Sequence, residues 1–298
     1  MNNSESLPGS GTITILTLLM IIFGAAASLT GIFSGGGPGP WLHESVRGME
    51  VEIYGMGIYK HMSADVAPQG IAQDYITCFA GIPLLLVGLF WFRRRSLQGR
   101  LFLAGIQAYF LVTYLFYLAM GTFNALFLVY VTLLGCSFFA FLHTLPIISI
   151  KRTAQHFSEK APTRIGGYFL MINASLIGLL WLSVIVPPLL EGTIIPKAVQ
   201  HYTTLIVQGF DLALLLPASF VIGFLLKQKK AEGLILGTVY LIFLSLLMAT
   251  LTAKIIAMVQ PGGTISPAII IIPLLGLFSI FLSIRMIKSI KKTQPDVS

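Results

Sequence analysis

Two carboxylates stand inside apolar runs of this chain, and their surroundings decide what chemistry is open to it. Asp211 lies in Gln208-Gly209-Phe210-Asp211-Leu212-Ala213-Leu214-Leu215-Leu216-Pro217. A carboxylate near the centre of a membrane helix costs ~2.5–3.5 kcal/mol on insertion scales, so it faces the bundle interior and takes a partner. Gln208 falls three residues earlier on the same helical face, and Thr204 and Ser219 extend that face. The stripe suits an ion or proton site or a solute contact. The plainer alternative is a structural acid satisfied by a neighbouring helix.

Lys254 is the expected partner of Asp211. Counted from the outer ends of their helices, the two depths differ by only ~3 Å at 1.5 Å per residue. An ion pair is open to them, as is a lysine that snorkels to the headgroups. The second acid, Asp74, follows Gln73 near the expected start of its helix. There it reads as a charge favoured by the helix dipole, or as a group facing Asp211 across the bundle. Gln107, Tyr114 and Tyr117 share one face of a further helix. Such groups make interhelical hydrogen bonds or line an aromatic cavity for an organic ligand.

The remaining chemistry is sparse. His43, Glu44, His61 and Asp65 have ligating atoms, but their spacing matches no standard metal pattern. HExxH, GxSxG and the Walker loop are absent, and the glycine run at 35–39 precedes Pro40-Trp41 rather than a helix. Cys78 and Cys136 lie in apolar runs with no CxxC. No catalytic residue, metal or cofactor is expected.

The elements that must position these groups are membrane helices. Apolar residues make up 56% of the chain and charged residues 10%, against roughly a quarter charged in soluble domains. The mean hydropathy is +0.87. Eight spans are expected, at about 12–34, 72–92, 101–120, 123–146, 165–187, 203–226, 233–259 and 266–287. The fifth should stop at Pro187-Pro188, and Pro261-Gly262-Gly263 should end the seventh. The first run is longer than a signal-peptide core and has no Lys or Arg before it, so a retained span is expected.

The net charge of +8 is not a nucleic-acid footprint, because its cations sit in short clusters between spans. Arg93-Arg94-Arg95 with Arg100, Lys151 through Arg164, Lys227 through Lys230, and Arg285 through Lys292 share one side. Only Arg47, Lys60, Lys197 and Lys254 belong to the other. The basic side is then cytoplasmic and both termini lie inside a bacterial-type plasma membrane. The outer segment at 35–71 is comparatively acidic and rich in apolar side chains, so it should fold over the outer mouth, as a short helix or as a hairpin near Gly55 and Gly57.

The chain also echoes itself. Gly99 follows Pro83 by 16 positions and Gly233 follows Pro217 by 16; Val87, Arg93 and Arg95 match Val221, Lys227 and Lys229. Matching Asp74 to Asp211 needs one three-residue gap. This predicts two parallel four-helix halves, 1–150 and 151–298, with a site between them. The phrase around Gln208 and Asp211, with Gly57-Ile58-Tyr59 and Gln73-Asp74, resembles patterns in multi-span bacterial membrane proteins. The resemblance implies a polytopic helical fold and no particular activity.

An all-α polytopic bundle is therefore expected, with the lipid bilayer as its first partner. The leading functional expectation is a small transporter or permease-like protein holding a solute or ion near Asp211, Gln208, Lys254 and Asp74. The alternatives are a sensor, assembly factor or complex subunit working through the outer segment, with a homo-oligomer or complex partner, and an enzyme acting on lipid or quinone.

Overall fold

The computed structural model describes residues 10–145, 150–259 and 267–291. Among them, eight helical segments are long and apolar enough to cross a membrane. The chain is an all-α multi-pass membrane protein with one small hairpin. The elements are α1 (Ser10–Phe33), β1 (Trp41–Glu44), β2 (Glu50–Ile53), α2 (Ala67–Ile76), α3 (Ile82–Arg93), α4 (Leu97–Met120) and α5 (Phe127–Thr144). They continue with α6 (Ile150–Ala154), α7 (Thr163–Leu190), α8 (Ile206–Phe210), α9 (Leu216–Lys227), α10 (Ala231–Ala257) and α11 (Ala268–Lys288). The expected turn at Pro261-Gly262-Gly263, Lys292 and both termini lie outside the described residues.

Two of the spans are composite. A π turn, Thr77–Gly81, joins α2 to α3, and a second, Asp211–Leu215, joins α8 to α9. Each is followed at once by a proline, Pro83 or Pro217, in the first turn of the next helix. Proline lacks the N–H for an α-helical bond and its ring crowds the carbonyl four residues back. A wider turn relieves this: the Ile82 N–H donates to the Thr77 carbonyl, and the Leu216 N–H donates to that of Asp211. A shift of 134 positions carries Thr77–Gly81 onto Asp211–Leu215, α3 onto α9, and the start of α4 onto that of α10. The register needs no gap. It sets Thr77 beside Asp211 and Asp74 beside Gln208.

Both composite spans end alike. Arg95 and Lys229 take left-handed conformations, each with φ 56°, and the chain reverses into α4 and α10. There Gly99 and Gly233 touch the backbone of the preceding helix at Trp91 and Leu225. α4 and α10 form the centre. In each, 61% of the most apolar stretch is buried, against 17–33% in the other six spans. They meet where a Cβ on Gly105 would lie 2.6 Å from Ile242, the close approach that small residues permit in membranes. α5 and α11 flank the centre, and α7 packs along α9.

Several expected boundaries move. The second span begins at Ala67 rather than 72, with Pro68 in its first turn. The fourth begins at Phe127 rather than 123. α7 runs through Pro187 and Pro188 to Leu190, because each proline forfeits only one backbone bond near a helix end.

The hairpin pairs Trp41 with Ile53 and Glu44 with Glu50. Its reversal falls at 45–49, where the Ser45 hydroxyl accepts from the backbone N–H groups of Arg47 and Met49. The hairpin expected near Gly55 and Gly57 thus turns earlier in the chain, while the alternative of a short helix there is met by one 3-10 turn, Gly57–Tyr59. Gly55, with φ 76°, instead lies against the Gly39 carbonyl, where a side chain has no room. The segment 196–202 clasps this region. Arg47 donates to the carbonyls of Gln200 at 2.8 Å and Tyr202 at 2.5 Å. The Gln200 amide donates to Asp65 at 2.9 Å, and the Ser63 N–H donates to the Tyr202 phenol at 3.2 Å.

Candidate functional site

The two membrane acids and the polar groups bonded to them lie toward the hairpin end of the bundle in two neighbouring clusters. The first is closed. Asp74 is 2% exposed, seven residues inside α2, so the reading of it as a helix-start charge is corrected. The helix begins a turn and a half earlier than the polarity of 67–71 suggests. The Tyr59 phenol, in a single 3-10 turn outside the spans, donates to one Asp74 oxygen, and Tyr117 of α4 donates to the other at 2.8 Å. The two phenols lie 3.1 Å apart. Burial first, and then the charge of Asp74, raise Tyr59 well above the usual phenol range, so it stays a neutral donor. Gly31 of α1 makes the room: a Cβ there would overlap the Asp74 carboxylate.

Gln73 belongs to an adjoining network. Its amide donates to the Tyr109 phenol at 2.8 Å and the Thr113 hydroxyl at 3.1 Å. Tyr109 also meets Thr77 at 3.0 Å and, across the central contact, Thr250 of α10 at 3.2 Å. Tyr114 packs on Tyr117 and Tyr130, with ring centroids 5.7 and 6.1 Å away. The aromatic face proposed to line a ligand cavity is filled by its own rings, with Tyr114 only 1% exposed. Gln107 stands apart from it, donating to Thr17 of α1 at 3.1 Å. Its carbonyl oxygen has no hydrogen-bond partner among the described residues.

The second cluster is only half-buried. Asp211 opens the second π turn, and one of its oxygens accepts from the indole N–H of Trp181 on α7 at 2.8 Å. Trp181 was not among the expected site residues. An indole N–H inside a span must find an acceptor, and that rule was the available signal. Gln208 is half-buried. Lys254, near the end of α10, is half-buried and interacts electrostatically with both Asp211 and Asp74. It reaches neither carboxylate closely enough for a direct ion pair among the described residues. The expected stripe is interrupted: Thr204 precedes the helix, and the π turn rotates Ser219 toward α7, where it donates to the Leu170 carbonyl at 3.2 Å.

One ammonium within electrostatic reach of two acids, one of them bonded to an indole, can hold a small polar solute or exchange an ion or proton. No three or more His, Cys, Asp or Glu side chains converge on a metal-sized site among the described residues. His43 and His201 instead pack edge to face at 6.1 Å. Comparison with protein families, with curated proteins and with solved structures finds no match for this chain.

Proposed function

We propose that this membrane protein is a small transporter or permease-like carrier whose site is formed by Asp211, Gln208 and Lys254, with Asp74 as a neighbouring carboxyl group. One observation carries the reading: Lys254 lies within electrostatic reach of both membrane acids without being paired directly to either. Charged groups inside a span are costly, and a cation held between two carboxylates suits exchange of partners. In this reading the elements related by 134 positions are two parallel halves, 1–150 and 151–298, meeting at α4 and α10. The basic end faces the cytoplasm of a bacterial-type cell and the hairpin end faces outward.

The test is flux. Protein reconstituted in liposomes with an internal pH dye is challenged with gradients of inorganic ions, amino acids, sugars and organic acids. Wild type should pass at least one solute or proton current that Asp211→Asn and Lys254→Met abolish. No flux from folded protein with any member would contradict transport.

A second reading takes support from the Tyr59–Asp74 bond. It joins a segment outside the spans to the bundle interior, as a sensor acting through its outer surface would need.

A further inference from the structure

A long groove lies between the two halves on the side away from the hairpin. It is bounded by α3 and α4 on one wall and by α10 and α11 on the other, with a volume of about 540 Å3. It begins at Ala80 in the first π turn and at Ala249, and it ends at Trp91 and Lys288. At 1.5 Å per residue, Ala80 to Trp91 covers about 16 Å and Ile280 to Lys288 about 12 Å. One leaflet of hydrocarbon is about 15 Å deep, half of the roughly 30 Å core.

The chemistry along this length is graded. The walls are apolar, and their two serines are already engaged. Ser245 donates to the Leu241 carbonyl at 2.8 Å and meets Ser283 at 3.1 Å. No acid lines the groove. At its end stand an indole and an ammonium, the pair suited to the headgroup level. Trp91 is set by its ring contact with Phe102 at 5.8 Å. Lys288 is exposed, with Arg285 in the same helical turn.

We infer that this groove binds one anionic phospholipid, with an acyl chain between the halves and the phosphate at Lys288. Length selects a single-leaflet chain, the satisfied walls refuse a polar solute, and the lysine selects negative charge. The site is separate from the Asp211 cluster and independent of the transport reading.

Delipidated protein in detergent, offered equal amounts of phosphatidylglycerol and phosphatidylethanolamine with the same chains, is read by native mass spectrometry. Wild type should retain one phosphatidylglycerol in at least fivefold excess over phosphatidylethanolamine. Lys288→Gln should bring the ratio close to one, while Lys230→Gln, at the same end but outside the groove, should keep it. Ala249→Phe should lower retention of both lipids at least fivefold, and Leu84→Trp should do so from the opposite wall should Ala249→Phe not fold. Equal retention of both lipids by wild type, equal effects of Lys288→Gln and Lys230→Gln, or wild-type retention in a folded groove-filling variant would overturn the inference.

Discussion

Tyr59 reaches from a 3-10 turn outside the spans to donate its phenolic hydrogen to Asp74, 15 residues later and inside the second span. The bond fixes the outer segment to the bundle, and it gives a buried carboxylate one of its two donors. The other comes from Tyr117. Tyr59→Phe leaves that oxygen without a protein donor. Leaving a buried acceptor unsatisfied costs about 1–3 kcal/mol. Thermal unfolding in detergent should show a clear loss for Tyr59→Phe, and a double variant with Asp74→Asn should lose less than the sum of the two single changes.

Gly31→Ala should destabilise, against the ordinary trend. Within a helix, alanine is better than glycine by about 0.8–1 kcal/mol. At Gly31 the added methyl group would overlap Asp74 and press on the Tyr59 hydroxyl. Gly11→Ala, where a Cβ meets nothing, supplies the control and should be neutral or slightly stabilising. The midpoint of thermal unfolding separates the two.

Gly99 and Gly233 sit at matched positions where α4 and α10 turn back against Trp91 and Leu225. Alanine at either should displace backbone rather than a flexible side chain. Both variants should lower the unfolding midpoint by similar amounts, and both should do so more than Gly135→Ala, which has open space. A large loss at one position and none at the other would contradict the matching of the two halves.

These residues also mark how much of the protein was legible before its structure. The eight spans were visible because twenty apolar residues have few other uses. Pro83 and Pro217 were visible as markers, but the π turns were not, since proline can also kink or end a helix. With the turns in place the ungapped register matches Asp74 to Gln208 and Thr77 to Asp211, so the two acids are not equivalent positions, and the turn also moves Ser219 off the expected face. The burial of Asp74 was hidden because its donors lie 15 and 43 residues away. Trp181 was hidden by 30 residues of separation from Asp211. Long-range partners leave no local pattern.

The clasp between the hairpin and the segment 196–202 should weaken in acid. His201 donates its Nε2–H to the His61 carbonyl at 3.1 Å, and its other ring nitrogen is buried without a partner among the described residues. Burial lowers its pKa from the ordinary 6.5, and the neighbouring His43 and Arg47 lower it further against the raising effect of the His61 carbonyl. The folded clasp therefore binds fewer protons than the open one. The contribution linked to His201 is fully present above about pH 6.5 and falls away as pH drops below that value. Amide protection across 41–66 and 196–202, corrected for the intrinsic pH dependence of exchange, should fall between pH 7.5 and pH 5, and His201→Gln should flatten the change.

The most direct test of the site is ligand-dependent thermal stability. Purified wild type, Asp211→Asn and Lys254→Met would each be heated with a panel of ions, organic acids, amino acids and sugars. At least one compound should raise the wild-type midpoint in a saturable manner and have no effect on either folded variant. A ligand that stabilises all three proteins equally, or a panel that stabilises none, would contradict a binding site at Asp211 and Lys254.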